Sequence, residues 1–222
     1  MKQALLQLIA KPWHIGVRWY LSKPRPYTYK DICMTVSPGV FHPGFFFSTR
    51  LVCKFLETQN LERRKFLELG SGSGFLSIVA ARMGALVTAC DINPNAVNDT
   101  RLNAQSNKVH LDVIESDLFN SIPQQTFDWI IINPPYYPAD PKSDEQHAWY
   151  CGLHHQYFEK LFGSMNRYIT PESKILMVLS DVCDMEKIKA IALQHHWTFD
   201  KILEKNVWAD GKNYLFWIRA LE

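Results

Sequence analysis

The tetrapeptide Asn133-Pro134-Pro135-Tyr136 follows an unbroken apolar run, Ile130 to Ile132. Three isoleucines without polar alternation are the pattern of a strand buried on both faces. The strand then ends in an amide, two prolines that lack N–H groups, and a phenol ring. The side-chain oxygen of Asn133 and the backbone oxygen of Pro134 can accept both N–H bonds of a flat nitrogen. Pro134 and Pro135 hold the segment extended and leave its carbonyls free. Tyr136 offers a face on which a planar amide or base can stack. Such a nitrogen is a poor nucleophile because its lone pair is delocalised, and its protons are barely acidic. Acceptors therefore help it more than a strong base, since they stabilise positive charge that develops only in the transition state. Taken alone, "NPP" reads as a turn leaving a strand.

A second cluster gives the lip a partner. "ELGSGSG" places Glu68, Gly70, Ser71, Gly72 and Gly74 where a strand runs into a helix. Glycine there lets the backbone turn sharply and approach a ligand. The spacing is not the dinucleotide fingerprint, because Phe75 occupies the place of the last glycine, and no Gly-Lys-Ser/Thr follows as in a phosphate loop. Asp91 ends the next strand and Asp117 follows the third. In a parallel sheet those strand ends converge on one crevice. Asp91 can accept from both hydroxyls of a ribose, and Asp117 from an adenine amino group, with Ile92 and Leu118 flanking the ring. Glu68 suits an ammonium or a water network. Nothing here would neutralise a diphosphate, which the acids would repel. A cationic nucleoside fits better.

The elements that must position these residues are legible as alternating strands and helices. "KFLEL" is a strand, "FLSIVAARMG" a helix closed by Gly84, "ALVTACD" a strand and "NAVNDTRLNAQSN" a helix. "VHLDVIESDLF" and "FDWIIINPPYY" give two more strands. "QYFEKLFGSMNRYI" is helical, "SKILMVLSD" a strand and "MEKIKAIALQHH" a helix, with His195 and His196 at its C-terminal end. "FDKILEKNVW" and "NYLFWIRALE" form an antiparallel hairpin turning near Asp210-Gly211. Upstream, Ser48-Thr49 supplies a hydroxyl for the N-cap of "TRLVCKFLETQN". Strands alternating with helices predict an α/β fold with a doubly wound, mostly parallel sheet.

Residues 1–37 read as an N-terminal arm and 38–222 as the main domain. The arm is basic and aromatic, with no acid before Asp31. Its opening "MKQALLQLIAKPW" reads as a short helix rather than a signal peptide. Pro12, Pro24 and Pro26 argue against continuous structure after it. The arm either packs on the main domain or grips an anionic substrate.

A chain of 222 residues with 47% hydrophobic content can bury a sizeable core. A net charge of +2 is too mild to argue for nucleic acid by itself. Cys33, Cys53, Cys90, Cys151 and Cys183 form no CxxC pair, so they read as reduced thiols in a cytoplasmic protein with no metal framework. No run is long enough to span a bilayer. His147, His154 and His155 lack a partner acid or cysteine arrangement for a metal and read as solvent-facing or substrate-rim groups.

The strings "LELGSGSG", "ACDINPNAV", "ESDLF" and "NPPYY", in that order, resemble the class I S-adenosylmethionine-dependent methyltransferases over residues 38–222. The resemblance implies a Rossmann-like sheet of seven strands with the last antiparallel. It implies adenosylmethionine as cofactor, with Gly70, Gly72, Asp91 and Asp117 in the roles argued above. The "NPPY" form resembles the HemK/PrmC-like branch, and "HPGFFFST" resembles the segment before its cofactor loop at Pro43 and Thr49. "AWYCGLHHQYFEKLF" also looks like that branch. It implies methylation of a planar nitrogen, with a protein glutamine amide, such as that of a translation factor, preferred. The alternatives are an exocyclic amine of adenine or guanine in nucleic acid, or an idle cofactor-binding subunit of a partner. An intact lip disfavours the last.

Overall fold

A computed structural model of the chain describes residues 21–207 and 211–221. The expected first helix, most of the arm's aromatic residues, and Asp210 lie outside the described residues.

Seven strands form one sheet in the order β5-β4-β3-β6-β7-β9-β8. They are β3 (Lys65–Leu69), β4 (Leu86–Asp91), β5 (Asp112–Glu115), β6 (Trp129–Ile132), β7 (Lys174–Ser180), β8 (Trp197–Val207) and β9 (Gly211–Ala220). β3 to β7 pair in parallel, while β9 runs antiparallel to both β7 and β8. The predicted seven-stranded architecture with its terminal antiparallel hairpin is the one observed.

The helices α1 (Phe47–Leu56), α2 (Phe75–Arg82), α3 (Pro94–Ser106), α4 (Gln156–Ser164) and α5 (Met185–Gln194) cover the faces. On β6, Ile130 and Ile132 enter the core that holds Phe158, Leu161 and Trp197. Trp129 and Ile131 enter the opposite core with Leu56, Phe75 and Leu76. Two buried faces explain why this strand carries no polar residue. Its C-terminal end therefore emerges at a fixed point between the layers, and the lip begins there. Among the described residues, no helix is long and apolar enough to cross a membrane.

Two local expectations need correction. α1 begins at Phe47, with Phe46 as its N-cap and no side-chain capping bond. Ser48 and Thr49 thus lie in its first turn, where both are buried. The second correction concerns the prolines. Residues 25–36 fold into an antiparallel hairpin, β1 (Arg25–Tyr29) and β2 (Ile32–Val36), despite Pro26. Pro26 stands opposite Thr35, whose N–H and C=O both bond to Asn103 of α3. At such a position the pair shares no ladder bond, so the missing proline N–H costs nothing. The hairpin buries Tyr27, Ile32, Met34 and Val36 in the core beside Phe75 and Leu76.

Candidate functional site

The carboxyl ends of β3, β4 and β6 open onto a cavity of about 490 Å³. That volume lies within the usual range for small-molecule sites. Glu68, Gly70, Ser71, Gly72, Asp91, Ile92, Asp117, Leu118, Asn133, Pro134, Pro135 and Tyr136 all line it. Of the residues singled out in the sequence for the site, only Gly74 stands back from it. Gly74 adopts φ +83°, and a Cβ there would come within 2.9 Å of the Thr100 side chain and 3.1 Å of its Cα. Glycine at 74 lets the loop rest directly on α3. Gly70, at φ +77°, faces open space and leaves room for a ligand against the backbone.

Asp91 organises the glycine loop. Its Oδ2 accepts from the Gly72 N–H at 2.8 Å and its Oδ1 from the Asn93 N–H at 2.9 Å. Burial pushes its carboxyl above the usual range, against the pull of these N–H groups. Each oxygen keeps a further lone pair for a hydroxyl. Glu68 turns to the first turn of α2, where one carboxylate oxygen accepts from both the N–H and the hydroxyl of Ser77. Burial pushes its pKa up to about 8, opposed by those two bonds. Asp117 pairs with Lys160 of α4 at 2.8 Å, an exposed contact of small worth by itself. Leu118 sits at φ +53°, unusual for a leucine, and its carbonyl accepts from the Ser116 hydroxyl and the Cys90 thiol.

At the opposite side, the lip leaves β6 with Pro134 and Pro135 buried and Asn133 and Tyr136 half-buried. The Asn133 amide N–H₂ donates to Thr49 Oγ1 at 3.4 Å, and its Oδ1 accepts from the Tyr136 hydroxyl at 3.1 Å. Tyr136 therefore engages the site through its hydroxyl as well as its ring. An amide oxygen has two lone pairs, so Oδ1 can still accept a substrate N–H. The Tyr137 backbone exchanges bonds with Trp149 and Cys151, which ties the lip to the 144–152 segment. Cys151 lines the cavity, but burial pushes its thiol up to about 11 and keeps it protonated at neutral pH.

Sequence reasoning missed the aromatic wall. Phe41 and Phe46 stack at 4.7 Å between ring centroids, and Trp149 packs on them at 5.5 and 5.1 Å. Tyr157 and Lys160 also line the cavity and were missed, whereas Thr49, which lines it too, was singled out with Pro43 in the segment before the glycine loop. These residues come from two segments far apart in the chain, 41–49 and 149–160, so no spacing rule connects them. His147 lies at the cavity, His154 is exposed, and His155 is buried at the N-cap of α4. The His195 ring pairs with Glu159 of α4 at 2.8 Å.

A protein-family model described as methyltransferase small domain matches residues 31–197. A candidate protein N5-glutamine methyltransferase from Methanocaldococcus jannaschii is 41% identical over 118 residues, covering 52% of this chain and 57% of the relative. A ribosomal protein L11 methyltransferase from Leptospira interrogans is 36% identical over 106 residues, covering 45% of this chain and 35% of the relative. The chain thus spans from about a third to somewhat over half the length of these relatives. Among solved structures, the E. cuniculi Mtq2–Trm112 complex, responsible for methylation of the eRF1 translation termination factor, superposes with TM-score 0.62 at 18% identity. That match covers 82% of this chain and 99% of the other. The T. thermophilus 16S rRNA N2 methyltransferase RsmC, solved with AdoMet and guanosine, gives TM-score 0.60 at 17% identity, covering 90% and 50%. At such identities the structures speak for the fold.

Proposed function

The chain belongs to the methyltransferase small domain family, and from that premise we propose that it is an S-adenosylmethionine-dependent N-methyltransferase of the HemK/PrmC type. The acceptor in this reading is a glutamine side-chain amide of a protein. One observation carries it: the Asn133-Pro134 acceptors and the Gly70–Asp91 cradle line the same cavity.

The residues present fit the cofactor. The open side of Gly70 admits a close ligand, and Asp91 presents two carboxylate oxygens where a ribose edge would lie. Leu118 and Ile92 offer apolar contact for a base, with Asp117 beside them. Ser71 lines the loop and holds the Thr100 hydroxyl at 3.1 Å. Glu68 supplies a buried carboxylate for an ammonium. When bound, adenosylmethionine supplies an electrophilic methyl group on sulfur. The chain's own part is to hold the acceptor: Asn133 Oδ1 and Pro134 O take the two N–H bonds, drawing the nitrogen lone pair out of conjugation. Thr49 Oγ1 accepts a long bond of 3.4 Å from the Asn133 amide. None of these groups is a base, so the surplus proton passes to water once the nitrogen is cationic.

The charge around the cavity favours a protein acceptor. Its lining carries Glu68, Asp91, Asp117, Asp140 and Asp144, while Lys160 is tied to Asp117. A phosphate backbone would meet a lining with four aspartates and, among the described residues, Lys160 as its one Lys or Arg, whereas nucleic-acid sites concentrate Lys and Arg. The glutamine methyltransferase relative points the same way. Five free cysteines fit the cytoplasm, where such a substrate would be met.

The test is to incubate extract with methyl-labelled adenosylmethionine. Label that protease removes and nuclease leaves is expected, recovered as N5-methylglutamine. Nuclease-sensitive label would instead establish the nucleobase reading, and no label above background would favour the idle subunit.

Glu68 gives a pH signature. Its folded pKa near 8 means the carboxyl is mostly protonated at pH 6 in the free protein. An ammonium ligand requires it ionised, so binding releases a proton. Adenosylhomocysteine affinity should then rise with pH from about 6 and level off above about 8. Calorimetry should show Glu68→Gln binding more weakly with no such slope; a slope unchanged in the variant would assign it to another group.

A further inference from the structure

The buried face of α3 is unusually polar. Asp99, Thr100 and Asn103 are buried there, as is Asn107 at its C-cap, and buried polar groups need partners. Asp99, Asn103 and Asn107 find theirs on residues 33–37, while Thr100 turns to the glycine loop, donating to the Gly72 carbonyl and meeting the Ser71 hydroxyl, each at 3.1 Å. The Asn107 side chain accepts from the Cys33 N–H at 3.2 Å and donates to the Cys33 carbonyl at 2.8 Å. Asn103 does the same at Thr35, both at 2.9 Å. Asp99 accepts from the N–H and hydroxyl of Ser37, each at 2.6 Å. Four residues of helix advance about 6 Å, and two residues of strand about 6.6 Å. Side chains at 107, 103 and 99 can therefore track residues 33, 35 and 37 in step. The helix closes an open strand edge with side chains where another strand would use its backbone.

Among these four side chains, Asn103 bonds both the hairpin and the glycine loop. Its amide also donates to the Ser73 carbonyl of the glycine loop at 2.9 Å. One side chain is thus shared between the cofactor loop and β2. β2 in turn leads into residues 39–46, which form the aromatic wall and are pinned by the Asn93 amide on the Gly39 carbonyl at 3.2 Å. We infer that Asn103 is a positioning residue that couples the glycine loop to the hairpin, so that filling the cofactor cradle tightens the segment that carries Phe41 and Phe46 of the aromatic wall. This rests on the cofactor reading of the cavity. Physically, a ligand that orders the Ser73 carbonyl removes freedom from Asn103, and the next bond on the same amide then forms at a smaller entropic cost.

The Thr35 amide donates into Asn103, so its hydrogen exchange reads the opening of this bond directly. Exchange is measured residue by residue on the full chain, with and without adenosylhomocysteine. The expected result is slowing at Thr35 of about fivefold or more on binding. Asn103→Ser, which loses both donors, should bind the ligand yet show no slowing there. Asn107→Ser, which touches the hairpin but not the glycine loop, should speed exchange at Cys33 and keep the response at Thr35. If Asn103→Ser fails to fold, the wild type and Asn107→Ser still decide. Ligand binding without any change at Thr35 overturns the coupling alone. Failure of the wild type to bind adenosylhomocysteine overturns the cofactor reading and the coupling with it.

Discussion

Asn133→Ala should bind adenosylhomocysteine within about threefold of the wild type while turnover falls by about 10²–10³. The Asn133 side chain lines the cavity with its amide oxygen engaged on one side. It accepts from Tyr136 at 3.1 Å and keeps one lone pair toward the cavity. The bond it offers an acceptor amide grows stronger as the nitrogen loses conjugation and gains positive charge. An interaction stronger in the transition state than in the ground state lowers turnover when removed and leaves cofactor binding alone. Truncation also frees Thr49 Oγ1 from a bond of 3.4 Å, which is long and of little energetic consequence. Calorimetry for the ligand and label transfer to protein separate the two quantities. A variant that keeps full turnover would remove Asn133 from the chemistry. One that loses ligand affinity in proportion would make it a structural residue of the cradle.

Asp91→Ala should fail in the opposite manner. The carboxylate holds the Gly72 and Asn93 N–H groups, and in the proposed complex it holds ribose hydroxyls as well. Hydrogen bonds to a charged group contribute about 1.5–3 kcal/mol each, so losing two to the ligand weakens adenosylhomocysteine binding by about 10²–10⁴-fold. The free variant should also melt lower, because the Gly72 N–H would lose its partner inside the site. The ligand, which raises the wild-type melting temperature by mass action, should leave the variant's unchanged. Affinity within tenfold of the wild type would place the ribose elsewhere.

Much of the fold could be read from the chain because its cues are local. Ile130 to Ile132 has no polar residue, and the structure buries it from both sides. The strand–glycine–helix passage at 65–82 and the terminal hairpin follow from equally local patterns. Ser48 misled because a hydroxyl before an apolar run suits a cap, whereas the fold uses Ser48 and Thr49 to line the cavity. Pro26 misled because its missing donor is harmless only in a register set by Asn103, 77 residues away in sequence. The acids and the lip were identifiable by residue type, since strand ends of a parallel sheet must converge. The wall of Phe41, Phe46 and Trp149 was not, because nothing in "HPGFFFST" or "AWYCG" says that the two segments meet.

In the proposed complex the lip faces the reacting end of the bound donor. A crystal structure of the full chain with adenosylhomocysteine tests it most directly. Density is expected in the cavity with the ribose edge on Asp91 and the sulfur turned toward the Asn133 and Pro134 oxygens. Density at another site, or a ligand whose sulfur points away with those oxygens open to solvent, would contradict it.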